Sequence, residues 1–253
     1  MISVIIPTCD RPAEFLRDAI ESVMSQTSPP DEVIVVDNGT RDADPAALPA
    51  GVTLYRLPPR VGPSRARNFG AAMAKGTNLA FLDDDDLWDS KFLQQCSKAL
   101  EEDKSECVYG FVLHLRNACM SIKFSPSAEN FSLEQLLRKN PGASGQNLFI
   151  RKKTFWCVGG FDERLWNSED RDLGIRLVLS GVRISFCPAA KAIVRTHTGS
   201  RLSDRPSVKF RLLFKYRSCL DLSTQIRLSA VLIDRLARRL ALGILRKARM
   251  RLR

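Results

Sequence analysis

Val4-Ile5-Ile6-Pro7 is a short, β-branched run of the kind that forms a strand buried on both faces of a parallel sheet. Apolar residues at helical spacing follow up to Gln26, and Asp10 precedes them as a candidate N-cap, so a helix is predicted there. A second apolar run, Glu32-Val33-Ile34-Val35-Val36-Asp37, ends in the turn signal Asn38-Gly39. Strand, helix and strand make a βαβ unit, which predicts an α/β, Rossmann-like fold with a mostly parallel sheet flanked by helices.

The same alternation continues beyond the second strand. Residues 52–55 predict a strand, residues 64–74 a helix, and residues 79–82 a further strand that runs into four aspartates. Ligands of open α/β sheets bind at the carboxyl ends of the strands. The polar groups at these ends are therefore expected to line one crevice: Thr8-Cys9-Asp10, Asp37-Asn38 and the aspartates from Asp83 onward.

The composition is that of a globular protein, and its excess charge lies in one segment. The chain has 253 residues and a net charge of +11. Its 44% of apolar and 26% of charged residues exclude a disordered or fibrous protein. Residues 206–253 contain 13 Lys and Arg and two acidic residues, whereas residues 1–205 contain 26 basic and 26 acidic residues. The neutrality of this larger part argues against nucleic acid as a partner.

Cysteine usage and the N-terminal residues predict a cytoplasmic protein. The seven cysteines include no C-x-x-C pair and no paired metal spacing, which favours a reducing compartment. The first residues lack the basic region and cleavage site of a signal peptide, and no run approaches the ~18 apolar residues of a membrane span. We therefore expect neither export nor insertion into a membrane.

Four consecutive carboxylates, Asp83-Asp84-Asp85-Asp86, follow the predicted strand. Like charges at this spacing repel one another unless a cation neutralises them. Oxygen ligands favour Mg²⁺ or Mn²⁺. Where the protein supplies few ligands to such an ion, the phosphates of a bound nucleotide complete its coordination shell. The cluster therefore predicts a divalent metal site. The alternative is a solvated acidic turn that caps a helix beginning near Ser90.

Six motifs follow one another along the chain: Ser3-Val4-Ile5-Ile6-Pro7-Thr8, Val35-Val36-Asp37-Asn38-Gly39-Thr40, Ser64-Arg65-Ala66-Arg67-Asn68-Phe69-Gly70, Phe81-Leu82-Asp83-Asp84-Asp85-Asp86, Gly159-Gly160-Phe161-Asp162-Glu163 and Ser168-Glu169-Asp170-Arg171-Asp172-Leu173. Each motif alone is weakly specific. Together, over about residues 1–200, the sequence resembles the family 2 glycosyltransferases of the GT-A fold. The resemblance implies a hexosyltransferase that uses a nucleotide sugar and inverts the anomeric carbon.

The resemblance also implies roles for residues of the donor site. Asp37 corresponds to the acid that contacts the base or ribose of the nucleotide, and Thr8 and Asp10 border the same pocket. Arg67 is expected near the nucleotide. Two alternatives stay open, because Asp10 can be a simple N-cap and Arg67 can belong to a solvated helix face.

Further positions correspond to the metal site and the catalytic base. Asp83 and Asp85 match the outer acids of a D-x-D motif, with Asp85 as the more direct ligand of Mn²⁺ or Mg²⁺. His197 stands where some members place another metal or diphosphate contact, although an ordinary loop histidine is the alternative. Asp170 corresponds to the general base and Glu169 to a substrate-binding acid. The alternative for Asp170 is a first-turn acid that complements the helix dipole.

The implied reaction is transfer of a single sugar from a UDP-linked donor to a hydroxyl of a glycan or lipid-linked acceptor, in cell-surface polysaccharide synthesis. The Gln-x-x-Arg-Trp signature of processive synthases is absent, which favours one transfer per encounter. Cys9 stands where the family often has an aromatic residue that stacks on the base. Two other hypotheses stay open: a nucleic-acid-binding, metal-dependent nuclease, and a catalytically silent scaffold of the same fold at a membrane surface.

The excess positive charge divides the chain into a glycosyltransferase domain, 1–205, and a basic helical extension, 206–253. Between 225 and 253, apolar residues recur every three or four positions, with arginines gathered on the opposite side. This pattern is typical of a basic amphipathic helix that lies on an anionic membrane surface. We therefore expect peripheral attachment to the cytoplasmic face of a membrane. The alternative is a helix packed on the domain.

Overall fold

The first part of the chain folds as the predicted alternation of strands and helices. The computed structural model describes residues 1–41, 43, 48–116, 119–165, 167–195 and 207–234. Its first elements are β1 (Ile2–Thr8), α1 (Ala13–Met24), β2 (Glu32–Asp37), β3 (Val52–Arg56), α2 (Pro63–Met73) and β4 (Asn78–Phe81). Strands β2 and β4 flank β1, β3 lies outside β2, and all these pairings are parallel. The carboxyl ends of β1, β2 and β4 therefore meet at one edge of the sheet.

The remaining strands extend the sheet with mixed polarity. The elements are β5 (Asp86–Trp88), α3 (Phe92–Glu102), β6 (Cys107–Arg116), β7 (Cys119–Phe124), α4 (Leu133–Arg138), β8 (Leu148–Arg151), α5 (Lys152–Cys157), α6 (Glu169–Leu179) and β9 (Ile184–Arg195). The order beyond β4 is β8-β6-β9-β5, with β7 paired to β6. Strand β8 runs antiparallel to β4 and β6, and β5 runs antiparallel to β9. The first, all-parallel part of the sheet therefore ends at β4, where the antiparallel strand β8 follows.

Apolar residues on the two faces of the sheet form two cores. On β1, Ile5 belongs to a cluster with side chains of α2 and α6, whereas Val4 and Ile6 belong to a cluster with side chains of α1 and α3. Alternate residues of a strand point to opposite faces, so one buried strand supplies both cores. Gly70 lets α2 pack closely, because a Cβ there would lie 2.5 Å from Cγ2 of Ile5.

The start of α1 differs from the sequence-based prediction. The helix begins at Ala13, and Pro12 occupies the N-cap position without a side-chain cap. Asp10 instead has a φ of 53° and turns its carboxylate toward the loop after β2. Oδ1 accepts hydrogen bonds from the backbone N–H groups of Thr40, at 2.7 Å, and Arg41, at 3.0 Å. The N-cap alternative for Asp10 is therefore wrong, because another loop offers its carboxylate more donors.

The described part of the basic extension packs on the domain. It contains α7 (Ser207–Lys215), a 3-10 turn over Arg217–Cys219 and a helix, α8, over 222–234. Leu212, Leu228 and Leu232 are buried in the core that also receives α2 and α6. Residues 235–253, which carry most of the predicted amphipathic pattern, lie outside the described residues.

A buried carboxylate joins the extension to α6. Asp172 accepts hydrogen bonds from Nε of Arg176 at 2.8 Å, Nζ of Lys215 at 2.6 Å and the hydroxyl of Tyr216 at 2.6 Å. Burial and the bond to Asp172 raise the pKa of Tyr216 well above its usual value. Charge-assisted bonds of this kind are among the strongest in proteins. They fix α7 against the helix whose first turn carries Glu169.

Candidate functional site

The carboxyl ends of β1 and β2 border one cavity of about 380 Å³. Its lining includes Thr8, Asp10, Arg11, Asp37 and Arg41. The structure therefore brings together Thr8, Asp10 and Asp37, three residues that the sequence assigns to the donor site. Arg11 also lines the cavity, and it extends toward the aspartates that follow β4.

Asp37 and Asp10 shape the rim of this cavity. The buried Asp37 accepts hydrogen bonds from the backbone N–H groups of Gly39, at 2.8 Å, and Ala43, at 2.9 Å, and it pairs with Arg56 at 3.1 Å. The backbone N–H of Arg41 and the side chain of Thr40 lower the pKa of Asp10. Both carboxylates thus hold the loop after β2, and their contact with a nucleotide stays a prediction.

Arg11 connects the cavity to the aspartate cluster. Its guanidinium lies 3.1 Å from Oδ1 of Asp84 and 3.1 Å from Oδ2 of Asp85. The hydroxyl of Thr8 donates to Oδ2 of Asp84 at 2.7 Å. Burial raises the pKa of Asp84 to about 6, although Arg11 and Thr8 act in the opposite direction. Asp84 is therefore a structural acid, and Arg11 supplies part of the neutralising charge that the sequence assigned to a metal alone.

The other three aspartates converge. Asp83, Asp85 and Asp86 each present a carboxylate oxygen within 4.8 Å of the others. Burial, followed by the charges of Asp83 and Asp85, raises the pKa of Asp86 well above its usual range. The helix-capping alternative is wrong: α3 begins at Phe92, and it is Asp89 that accepts from the N–H of Lys91 at 3.1 Å. Converging oxygens with like charges fit a hard divalent cation.

Arg67 is the central cation on the other side of the cluster. Its guanidinium lies 2.5 Å from Asp83, 2.9 Å from Glu169 and 3.9 Å from Asp170. Burial acts to lower the pKa of Arg67, but the three carboxylates outweigh it and raise the pKa above its usual value. The solvated-face alternative is wrong for Arg67, which is buried, whereas Arg65 is exposed. Arg67 thus joins the aspartate cluster to α6.

Asp170 lies in the first turn of α6 and is only partly exposed. Burial, followed by the charge of Glu169, raises the pKa of Asp170 to about 8, although Arg67 acts to lower it. Asp170 shares this first turn with Glu169 and Asp172, where an acid can also complement the helix dipole. Gly145 makes room here, because a Cβ would lie 3.2 Å from Oδ1 of Asp170. The surroundings therefore favour a carboxyl group that can hold a proton near neutral pH.

The strand before His197 supplies a cation that sequence reasoning missed. His197 itself lies outside the described residues. Nε of Arg195 donates to the carbonyl oxygen of Asp85 at 2.8 Å, and its backbone N–H donates to Asp86 at 3.2 Å. Its Nη1 pairs with Asp18 at 2.6 Å. No local sequence pattern identifies Arg195 or Arg11, because each contacts the aspartates from a segment that is distant in sequence.

Comparison with known proteins identifies the family. The glycosyl transferase family 2 model matches residues 3–159, more than half of the chain, and the chain belongs to this family. An uncharacterised glycosyltransferase of Haemophilus influenzae is 30% identical over 186 residues, which are 70% of this chain and 62% of that protein. Glycosyltransferase AglE of Haloferax volcanii is 27% identical over 220 residues, 83% of this chain and 71% of that protein. The enzyme class predicted from the motifs, a glycosyltransferase, agrees with these names.

Solved structures show the same fold. The S. aureus protein TarS, in complex with UDP-GlcNAc, superposes with a TM-score of 0.70 at 19% identity over 92% of this chain and 72% of that one. The family resemblance and the GT-A fold are therefore confirmed. The chain spans less than two thirds of the Haemophilus protein, so its complete activity and its substrates remain matters for proposal.

Proposed function

We propose that this protein transfers a single sugar from a UDP-linked donor to a hydroxyl group, with inversion and with the help of a divalent cation. One observation carries the proposal: two series of contacts meet at the aspartate cluster. One runs from the cavity through Arg11 to Asp85, and the other runs from Asp83 through Arg67 to Glu169 and Asp170, with the oxygens of Asp83 and Asp85 within 4.8 Å of each other. A nucleotide pocket, a metal site and a base are the three parts that such a transfer requires.

Asp85, with Asp83 and Asp86, would hold a Mn²⁺ or Mg²⁺ ion. The fit rests on three converging carboxylate oxygens. Burial, followed by the charges of Asp83 and Asp85, raises the pKa of Asp86, and a bound cation would offset both effects. When bound, the ion supplies Lewis-acid stabilisation of the departing diphosphate. Asp37, Thr8 and Asp10 would border the nucleoside, which occupies the cavity beside Arg11.

Asp170 would act as the base. Its carboxylate takes the proton of the acceptor hydroxyl while that oxygen forms a bond to the anomeric carbon and the bond to UDP breaks. One displacement inverts the anomeric centre. Arg67 pairs with Glu169 at 2.9 Å and lies 3.9 Å from Asp170, and helix α6 fixes the spacing of the two acids.

The substrates are proposed from the relatives. TarS has been solved with UDP-GlcNAc and with UDP, which supports UDP as the nucleotide. The O-antigen biosynthesis protein RfbC of Myxococcus xanthus is 27% identical over 229 residues, 80% of this chain and 18% of that protein. This supports a glycan or lipid-linked acceptor of the cell surface. We place the reaction in the cytoplasm, in keeping with seven unpaired cysteines.

Thermal unfolding with a panel of nucleotides tests the proposal as a whole. A ligand that binds only the folded state raises the unfolding midpoint. UDP and UDP-sugars with Mn²⁺ are expected to raise it, and UDP should then be released from the matching UDP-sugar. A protein that responds to no nucleotide sugar would support the scaffold hypothesis, and one that cleaves nucleic acid would support the nuclease hypothesis.

The metal assignment predicts the behaviour of Asp85→Asn. Loss of one ligand charge is expected to weaken Mn²⁺-dependent UDP binding by at least ~10-fold, measured by titration calorimetry. Asp89→Asn is the matched control, because Asp89 follows the cluster and its carboxylate accepts a local hydrogen bond from the N–H of Lys91. If Asp85→Asn binds UDP with Mn²⁺ as tightly as the control does, Asp85 is not a metal ligand.

The raised pKa of Asp170 predicts the pH dependence of the rate. At a pH below its pKa of about 8, the carboxyl group of Asp170 is mostly protonated and cannot accept a proton. The rate is therefore expected to rise about tenfold per pH unit below this value and to level off above it. Steady-state release of UDP, measured across this range with Mn²⁺ present, gives the profile. A rate that falls as pH increases toward 8 would contradict the assignment.

A further inference from the structure

Helix α8 has two apolar faces, of which only one packs on the domain. Leu228 and Leu232 are 1% and 3% exposed. Leu222, Ile226 and Ile233 are 71%, 62% and 59% exposed. At 100° per residue, these three exposed residues fall within about 40° of one another on the helix surface. The structure therefore leaves a second apolar stripe, formed by Leu222, Ile226 and Ile233, uncovered by any described residue.

The sequence continues this stripe into the most basic part of the chain. Ala237, Leu240, Ile244 and Ala248 follow Ile233 at intervals of three or four residues. Residues 235–253 also contain eight Lys and Arg and no acidic residue. Apolar positions on one stripe, combined with a high positive charge, are the pattern of helices that lie in the plane of a lipid surface.

We propose that the stripe of Leu222, Ile226 and Ile233 docks the protein on an anionic lipid surface. The charge of the segment favours this occupant over a second copy of the chain. Two copies would bring two strongly basic segments together, whereas acidic headgroups neutralise them. None of the helices within the described ranges is long and apolar enough to cross a bilayer. The inference does not depend on transferase activity.

The position of the stripe allows a test that leaves the fold unchanged. In Ile226→Ser/Ile233→Ser the net charge is constant and no buried side chain is altered. Met120→Ser/Ile122→Ser is the matched control, because Met120 and Ile122 on β7 are 58% and 66% exposed. Cosedimentation uses the full chain with vesicles of pure phosphatidylcholine and with vesicles of equal parts phosphatidylcholine and phosphatidylglycerol.

The parent protein is expected to bind the anionic vesicles only, and less tightly as salt screens the headgroups. The stripe variant should bind at least ~10-fold more weakly, whereas the β7 control should bind as the parent does. UDP binding should be equal in all three proteins. A parent that ignores anionic vesicles, or a stripe variant that binds as the parent does, would overturn the proposal. So would a dimeric parent that becomes monomeric in the stripe variant, or a stripe variant that unfolds at a lower temperature than the control.

Discussion

Asp170→Asn is expected to lower kcat by at least ~10²-fold while UDP affinity in the presence of Mn²⁺ changes little. Asparagine has the shape of aspartate but cannot take the proton of the acceptor hydroxyl. The effect is therefore confined to the transition state. Steady-state UDP release gives kcat, and titration calorimetry gives the affinity.

The pH profile is the internal control for Asp170→Asn. The parent is expected to gain activity up to about pH 8, where the pKa of Asp170 lies, whereas the variant should lack this limb. Near-parental kcat with an unchanged profile would remove Asp170 from the role of base. Glu169, which lies beside it and pairs with Arg67 at 2.9 Å, would then be the next residue to replace.

Arg67→Met is expected to reduce the free energy of unfolding by ~3–5 kcal/mol, because it leaves the buried Glu169 and the partly buried Asp83 and Asp170 without their cation. Asp83, Glu169 and Asp170 all lie within 3.9 Å of the guanidinium. Methionine keeps much of the side-chain volume, so the change tests charge more than packing. Urea unfolding at neutral pH measures the difference.

Arg65→Met is the matched control for this experiment. Arg65 is exposed on the same helix, two residues before Arg67, so its replacement should change the free energy of unfolding by less than ~0.5 kcal/mol. Arg67→Met/Glu169→Gln should recover part of the loss, because it removes one of the charges left unpaired. Equal stability of Arg67→Met and Arg65→Met would contradict the network described for Arg67.

The parts that sequence reasoning predicted correctly are those that local patterns encode. Strands β1, β2 and β4 are buried on both faces, so each is a continuous apolar run whose end is visible in the sequence. The fold rule then places Thr8, Asp37 and Asp83 at one edge without further information. The motif order supplied the family, and the comparisons confirm it.

The features that sequence reasoning missed depend on contacts between distant segments. Arg11 neutralises Asp84 and Asp85 across more than 70 positions of sequence, and Arg195 reaches Asp85 from β9. The four consecutive aspartates also look equivalent in sequence, although Asp84 bonds to Thr8 and Arg11 and does not belong to the group of converging oxygens formed by the other three. A one-dimensional pattern contains no information on which way each of these side chains turns.

Periodicity had a similar limit in the C-terminal extension. It identified the face of Ile226, Ala230 and Ile233 as apolar, and the structure shows that this face is exposed. It did not reveal that Leu228 and Leu232 pack into the core. Deleting residues from Gln225 onward would therefore remove buried side chains, and a test of the basic segment has to retain residues up to 234.

The bonds to Asp172 also set an order for biosynthesis. Translation passes Asp172 more than 40 residues before it reaches Lys215 and Tyr216, which supply two of its three hydrogen-bond donors. Until those residues leave the ribosome, helix α6 has a carboxylate with Arg176 as its nearest cation, and burying that charge incompletely paired is costly. We therefore expect helix α6, which carries Asp170, to reach its final packing only after the extension has emerged.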